Sequence, residues 1–338
     1  MGHSGLYGPL VEFDRLLQKT STFEAVFECP DTYNHVVPID RPIHLITLPA
    51  SSHSSLARFA RLDDSGNKPS DIVVRGRTDG RMKIASFNVN GITARLPNLL
   101  RWLAETRPDV ACLQELKVPH DKFPEAAIRE GGYGVIWHGQ KSFNGVAILA
   151  RGADPVEVRR VLPGDPDDLD SRYIEGQAGG VLVGCLYLPN GNPAPGRKFD
   201  YKLQWLNRLA KHAETLIALN SPVVLAGDYN VIPTELDVFA PERWVDDALF
   251  RPESREAFAR LLARGWTDAL RRMHPEERIY TFWDYFRNHF GRDRGLRIDH
   301  LLLSPSLAPR LVGVGVDRQV RGWEKASDHA PTWVQIAD

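Results

Sequence analysis

The stretch Pro222-Val223-Val224-Leu225-Ala226-Gly227-Asp228-Tyr229-Asn230 sets the reading of this chain. It begins as a short apolar run of strand length and then turns polar within two positions. Just before it, Leu206, Leu209, Ala213, Leu216 and Ile217 recur at helical spacing. A helix followed by a buried strand is the repeating unit of a layered α/β fold. The alternation extends outward in both directions. Residues 82–87, 110–113, 146–149 and 181–188 read as strands, with a helix over Leu96, Leu99, Leu100 and Leu103 that ends near Arg107-Pro108. A helix around 255–263 and strands at 298–303 and 332–336 complete the series. There is no internal repeat and no low-complexity tract.

The chain has 338 residues, 43% hydrophobic and 25% charged, an ordinary globular composition long enough to bury a sizeable core. Cys29, Cys112 and Cys185 form no CxxC pair, which predicts a reducing, cytoplasmic setting. No run of about 18 apolar residues exists, and the N-terminus lacks a signal-peptide pattern, so no membrane association is expected. A net charge of −1 excludes a uniformly basic nucleic-acid coat but permits a local basic groove. Residues 1–81 differ from the rest. Turn-rich clusters at 49–55 and 63–69 flank short apolar pieces such as 43–48, without sustained periodicity. This segment reads as a loosely ordered appendage or a misassigned start, since Met82, one of three methionines, stands directly before the first clear strand. Residues 82–338 form the expected functional domain.

What stands at the strand ends is informative. Residues 82–87 run into Asn88-Val89-Asn90-Gly91, and 110–113 into Gln114-Glu115. The strand from 181 reaches Tyr187, and the opening stretch delivers Asp228 and Asn230. Asp299 follows Arg297-Ile298, and Asp328-His329 precedes the last strand. Ligands of α/β sheets bind where strand ends open into loops. Glu115, Asp228, Asp299 and Asp328 brought together would repel one another without a cation or a proton. Oxygen ligands favour a hard cation, Mg²⁺ or Mn²⁺. Taken singly, Asn88, Asn90, the 227–230 segment and the 328–331 segment also fit a turn or a loop, whereas Glu115, an acid closing an apolar strand, needs a partner or water. His120, His212 and His274 read as surface residues.

In their order and joint occurrence these segments resemble the exonuclease III family of abasic-site endonucleases, within the endonuclease/exonuclease/phosphatase superfamily. The resemblance rests on Ser86–Gly91, Leu113-Gln114-Glu115, His138-Gly139-Gln140-Lys141, Tyr187-Leu188-Pro189-Asn190-Gly191, Gly227-Asp228-Tyr229-Asn230, Gly295-Leu296-Arg297-Ile298-Asp299 and Ser327-Asp328-His329-Ala330-Pro331. It also takes in the aromatic run Tyr280-Thr281-Phe282-Trp283-Asp284-Tyr285, and spans about residues 82–338. It implies a four-layered α/β sandwich, two packed β-sheets flanked by helices, and metal-dependent cleavage of DNA phosphodiesters. It implies a metal and phosphate site drawn from Asn88, Glu115, Asp228, Asn230, Asp328 and His329, with Glu115 as principal ligand. Asp228 then activates water, Asn230 helps to hold the phosphate, Tyr187 faces the scissile phosphate, and Asp299 pairs with His329. Phe282 and Trp283 would wall a pocket for a base-less sugar.

Two basic stretches, 196–211 with Lys202 and 287–297 with Arg292, Arg294 and Arg297, are expected to hold DNA phosphates without reading sequence. The expected function is a Mg²⁺-dependent abasic-site endonuclease and 3′→5′ exodeoxyribonuclease III. Its expected partner is double-stranded DNA, especially abasic or 3′-damaged, bound by a monomer of bacterial type close to the nucleoid. Two other functions compete: a phosphatase or phosphodiesterase for inositol phosphates or phospholipids, and a DNA-binding module without catalysis. The GLRID segment and the basic loops argue against the first. The full set of acids argues against the second.

Overall fold

Alternate side chains of Arg81–Asn88 serve two different cores. Met82 and Ile84 enter one, Ala85 and Phe87 the other. Val223–Asp228 behaves likewise, with Val224 and Ala226 facing the first core and Val223 and Leu225 a third. A strand covered on both faces needs no polar alternation, which is why these segments are continuous apolar runs.

The computed structural model describes residues 80–338 in full. Before them it describes only the backbone of β1 (Phe23–Phe27), β2 (His35–Ile39), β3 (Leu56–Arg61) and β4 (Ser70–Arg75). β1 pairs antiparallel with β2, and β3 with β4. The sequence reading places no element here, because such short strands are too brief for a period to stand out. The turn clusters at 49–55 and 63–69, the apolar piece at 43–48 and Cys29 lie outside the described residues. The chain divides into two units, Met1–Asp79 and Gly80–Asp338.

The second unit holds two six-stranded sheets. The first contains β5 (Arg81–Asn88), β6 (Val110–Gln114), β7 (Tyr133–His138), β8 (Val146–Arg151), β15 (Leu311–Val316) and β16 (Thr332–Ala337), in the order β15-β16-β5-β6-β8-β7. The second contains β9 (Val156–Arg160), β10 (Tyr173–Ala178), β11 (Val181–Tyr187), β12 (Val223–Asp228), β13 (Thr267–Asp268) and β14 (Asp299–Leu303), in the order β13-β14-β12-β11-β10-β9. Met82, Ile84, Cys112 and Ile148 of the first meet Val183, Cys185, Val224 and Leu301 of the second in a shared core. Ile92, Leu99, Trp102 and Leu103 of α1 (Ile92–Thr106) and Ile128 of α2 (Glu125–Glu130) cover the outer face of the first sheet. Trp205, Leu206 and Leu209 of α3 (Arg197–Ala218) and Phe258 and Leu261 of α4 (Pro252–Ala263) cover that of the second. The result is the expected four-layered α/β sandwich.

Register then sets the site. In the second sheet Tyr187 lies beside Asp228, and Asp228 beside Asp299. In the first, Asn88 lies beside Gln114 at the ends of two parallel strands. Gly227 is required where it stands, because a Cβ there would collide with the Leu186 carbonyl of β11. That close approach brings the strand ends carrying Tyr187 and Asp228 together.

Candidate active site

Asn88 joins the two sheets at this end. Its Nδ2 donates to Glu115 Oε1 at 2.8 Å and to Asp228 Oδ2 at 2.9 Å. Its Oδ1 accepts the Asn90 N–H at 3.0 Å, which fixes which end of the amide faces the carboxylates. The sequence reading put Asn88 among the metal ligands. In the structure its oxygen is turned to the backbone, and its amide NH₂ holds the Glu115 and Asp228 carboxylates in place. The Asn230 side chain is likewise occupied by protein partners. Its Oδ1 accepts Nδ2 of Asn190 at 3.2 Å, and its own Nδ2 donates to the Leu188 carbonyl at 2.9 Å. What Asn230 gives the site is its backbone N–H, which donates to Asp228 Oδ1 at 2.9 Å.

Asp299 and His329 form a buried pair, with His329 Nδ1 against Asp299 Oδ2 at 2.8 Å. Thr281 locks the acid from the other side, its hydroxyl donating to the same oxygen at 2.6 Å. His329 Nε2 faces Asp228 Oδ2 at 3.8 Å. Burial pushes the His329 imidazolium down, but the Asp299 carboxylate overrides this and lifts it to about 10, so the ring is cationic at neutral pH as long as no cation takes the place of the proton on Nε2. Burial pushes the Asp228 carboxyl up to about 7, with the Asp299 and Glu115 carboxylates adding to the rise and His329 opposing it. A carboxylate poised near neutrality suits a general base. Burial also pushes the Tyr187 phenol up, reinforced by Glu115 and Asp228, so it stays protonated and able to donate.

Glu115 sits just past β6 in the left-handed backbone region, at φ 52°. Burial raises its carboxyl, but Lys117, Asn88 and His329 outweigh this and hold it below the usual range. Lys117 Nζ meets Glu115 Oε2 at 2.6 Å. Sequence reasoning missed Lys117 and Thr281, although Thr281 lies inside a quoted segment and Lys117 two residues past another. Nothing local distinguishes them, since their partners are brought up by the fold.

Ligand atoms of Glu115, Asp228 and His329 lie within 4.8 Å of one another, close enough to share one cation. Two carboxylates and an imidazole whose other nitrogen is held by Asp299 fit a divalent ion. Asp299 Oδ1 is a buried acceptor with no protein partner, a further oxygen free for a group the protein does not supply. Asp328 falls outside this cluster: its Oδ1 accepts Nδ2 of Asn90 at 2.9 Å.

The expected DNA contacts divide. Arg292 is exposed, and Arg294 is half-buried beside Phe239. Phe282 is half-buried, its ring 5.0 Å from that of His329, so it borders the cluster as expected. Trp283 does not line a pocket. It is 1% exposed, with Nε1 donating to Asp293 at 3.1 Å. Lys202 is not at the surface either. It is fully buried and donates to the carbonyls of Asn190 and Asn230. Arg297 is also fully buried, held by Asp237 and Asp268. His212, read as a surface residue, is buried against Glu175.

Two facing sheets whose strand ends gather carboxylates, a phenol and an acid-held imidazole define a hydrolase of phosphate esters. The chain belongs to the Endonuclease/Exonuclease/phosphatase family, whose sequence pattern matches residues 85–329. It is 36% identical over 267 residues to the exodeoxyribonuclease III of Haemophilus influenzae, covering 75% of this chain and all of that one. The structure of an AP endonuclease from Archaeoglobus fulgidus is 40% identical, with a TM-score of 0.72 over 75% of this chain and 98% of that one. A 3′ phosphatase from Neisseria, solved with a product DNA hairpin, is 41% identical, with a TM-score of 0.73 over 75% of this chain and 99% of that one. No helix among the described residues is long and apolar enough to cross a membrane.

Proposed function

We propose that this chain is a Mg²⁺-dependent nuclease of duplex DNA that cleaves beside abasic sites and trims damaged 3′ ends. Its membership of the family, and its exodeoxyribonuclease III and AP endonuclease relatives, make it a phosphodiester-hydrolysing DNA repair nuclease. The observation that carries the finer reading is the convergence of Glu115, Asp228 and the Asp299–His329 pair at one end of the sandwich. Glu115, Asp228 and the Nε2 of His329 would hold the ion, which when bound supplies Lewis-acid neutralisation of phosphoryl charge. Asp228 takes the proton of the attacking water. Tyr187 donates to a phosphate oxygen and so offsets the charge that builds there. Exposed Arg292 and half-buried Arg294 position the backbone. Phe282 borders the place where a base-less sugar would sit. Such a nucleotide leaves the stack cheaply because it has no base to unstack. On this reading the chain acts as a monomer. The buried free thiols Cys112 and Cys185 are compatible with a reducing, cytoplasmic setting.

The test is turnover of an abasic duplex, a nicked duplex, a 3′-phosphate duplex and a soluble inositol phosphate, with and without Mg²⁺. Metal-dependent cleavage of the duplexes alone is expected, and activity that survives a chelator would end the metal reading. Glu115→Ala should lose activity and regain part of it at raised Mn²⁺, because a missing oxygen ligand weakens metal affinity first. Phe282→Ala should cost about 1–3 kcal/mol on the abasic duplex, by analogy with base–aromatic contacts, and little on intact DNA binding. Arg292→Ala should instead weaken both duplexes and flatten the salt dependence of binding. Equal losses on both duplexes for Phe282→Ala, in matched kcat/KM and binding assays, would make it a core residue.

A further inference from the structure

The aromatic run at 280–285 ends in a residue that the proposed reaction does not use. Tyr285 is half exposed, at the start of the loop that carries Arg287, Arg292 and Arg294. Its hydroxyl has three partners. It donates to the Ala326 carbonyl at 2.8 Å, and it accepts Nδ2 of Asn90 at 3.2 Å and Nη2 of Arg95 at 3.3 Å. Its ring is held separately, with the Arg321 guanidinium 4.8 Å from the ring centre. Arg321 is fixed in turn by the Trp283 carbonyl, at 3.0 Å from Nη2.

Asn90 connects this hydroxyl to the carboxylate cluster. The Nδ2 that meets Tyr285 also donates to Asp328, and Oδ1 accepts Nζ of Lys117 at 2.5 Å. That same ammonium lies 2.6 Å from Glu115 Oε2, and Asn88 ties the other oxygen of Glu115 to Asp228. Tyr285, Asn90, Lys117, Glu115, Asn88 and Asp228 therefore form one unbroken polar chain from the loop to the cluster. Asn90 stands at φ 47° and Lys117 at φ 56°, so both are held in a conformation that costs energy unless the surroundings enforce it.

We propose that Tyr285 is a positioning residue, whose hydroxyl links the arginine-bearing loop to Glu115 through Asn90 and Lys117. This rests on the nuclease reading above and adds to it. Lys117 is shared between Asn90 and Glu115, and it competes with any cation for the Glu115 oxygen. The better Asn90 is held, the more it draws the ammonium away from Glu115. Losing the Tyr285 hydroxyl frees one side of Asn90, lets Lys117 lean on Glu115, and weakens the site for a divalent ion. The Glu115 carboxylate is the point where loop and cluster meet.

The experiment uses the full chain and Tyr285→Phe, which removes the hydroxyl and keeps the ring over Arg321. Mn²⁺ affinity is read without DNA from the electron paramagnetic resonance signal of the free ion, alongside melting temperature and kcat and KM on an abasic duplex. Substituting groups that hold metal ligands typically costs 10–100-fold in affinity, and one step further out the expected loss is about three- to tenfold. Melting temperature should barely move, and kcat at limiting metal should fall more than KM rises. Asn90→Ala should show a similar Mn²⁺ loss, and the double variant should be no worse than Asn90→Ala, as one shared relay requires. A purely structural tyrosine would lower the melting temperature and leave Mn²⁺ affinity untouched. Parental Mn²⁺ affinity in Tyr285→Phe, or additive losses in the double variant, would overturn the proposal. A parent protein that binds Mn²⁺ but cleaves no duplex would instead strike at the nuclease reading, so the two failures are distinguishable.

Discussion

Asp228→Asn is expected to lower abasic-duplex cleavage by at least about 10²-fold, with duplex binding close to that of the parent. The substitution is nearly isosteric. The Asn230 N–H that meets Oδ1 at 2.9 Å would still meet an amide oxygen. The position opposite Asn88 Nδ2 and His329 Nε2 would change from a carboxylate oxygen to an NH₂ that accepts nothing. The group lost is thus the one able to take a proton from water, and the loss should appear in kcat and kcat/KM alike. The parent's acid limb should also change. Burial, aided by two neighbouring carboxylates, pushes Asp228 up to about 7, so activity that depends on its ionised form falls as pH drops through that region. The variant's residual rate should lack that limb. Near-parental turnover for Asp228→Asn would remove it from the chemistry and leave the site to bind phosphate by other means.

The parts of this site that could be read from sequence are those where a strand ends. Asn88, Glu115, Tyr187 and Asp228 each close or follow an apolar run and Asp299 opens one, and the fold brings those ends together because neighbouring strands are in register there. Strands covered on both faces stood out for the same reason. β7, β9, β10 and β15 were not read. β7, β9 and β15 are sheet edges, where one side needs no neighbour, and β9 is exposed along its whole length. β10 hides a buried Glu175 that His212, on a distant helix, helps to make tolerable together with Tyr173 and Arg159. Charge misled for a related reason. A lysine or arginine in a hydrophilic stretch reads as solvated, and its buried partners lie far along the chain. Lys202 caps the carbonyls of Asn190 and Asn230, at sequence separations of 12 and 28 residues, and burial pulls its ammonium down to about 7. The GLRID segment carries part of the resemblance to DNA repair nucleases. Gly295 has a packing reason as well, since a Cβ there would press on Tyr280 and Trp283.

Arg297 gives the largest expected effect on stability. It lies in that segment and was read as a DNA contact, yet its side chain is wholly enclosed. Nε donates to Asp237 Oδ1 at 2.6 Å and Nη1 to Asp268 Oδ2 at 2.7 Å. Arg297→Met fills much of the same volume but leaves both carboxylates short of their main counter-charge. Breaking a buried pair from one side costs about 3–5 kcal/mol, and for a unit of this size that lowers Tm by on the order of 10 °C. Arg271 still reaches Asp237 at 2.5 Å, which favours the lower end of that range. The deficit should also depend on pH. Burial pushes the Asp237 carboxyl up, but Arg297 more than reverses this and holds it at about 2, below its ordinary 3.8. The unfolded chain therefore binds this proton more readily than the folded one. The stability that Asp237 contributes is complete above about pH 4 and is lost as pH falls through about 2. The gap in Tm between the parent and Arg297→Met should accordingly be widest near neutrality and narrow below pH 4, as the carboxylates left behind become protonated. A cavity or a packing fault would give a gap that does not change with pH. Thermal melts of both proteins from pH 3 to 8 decide between these, and a variant that melts with the parent throughout would show that Arg297 can be removed at no cost.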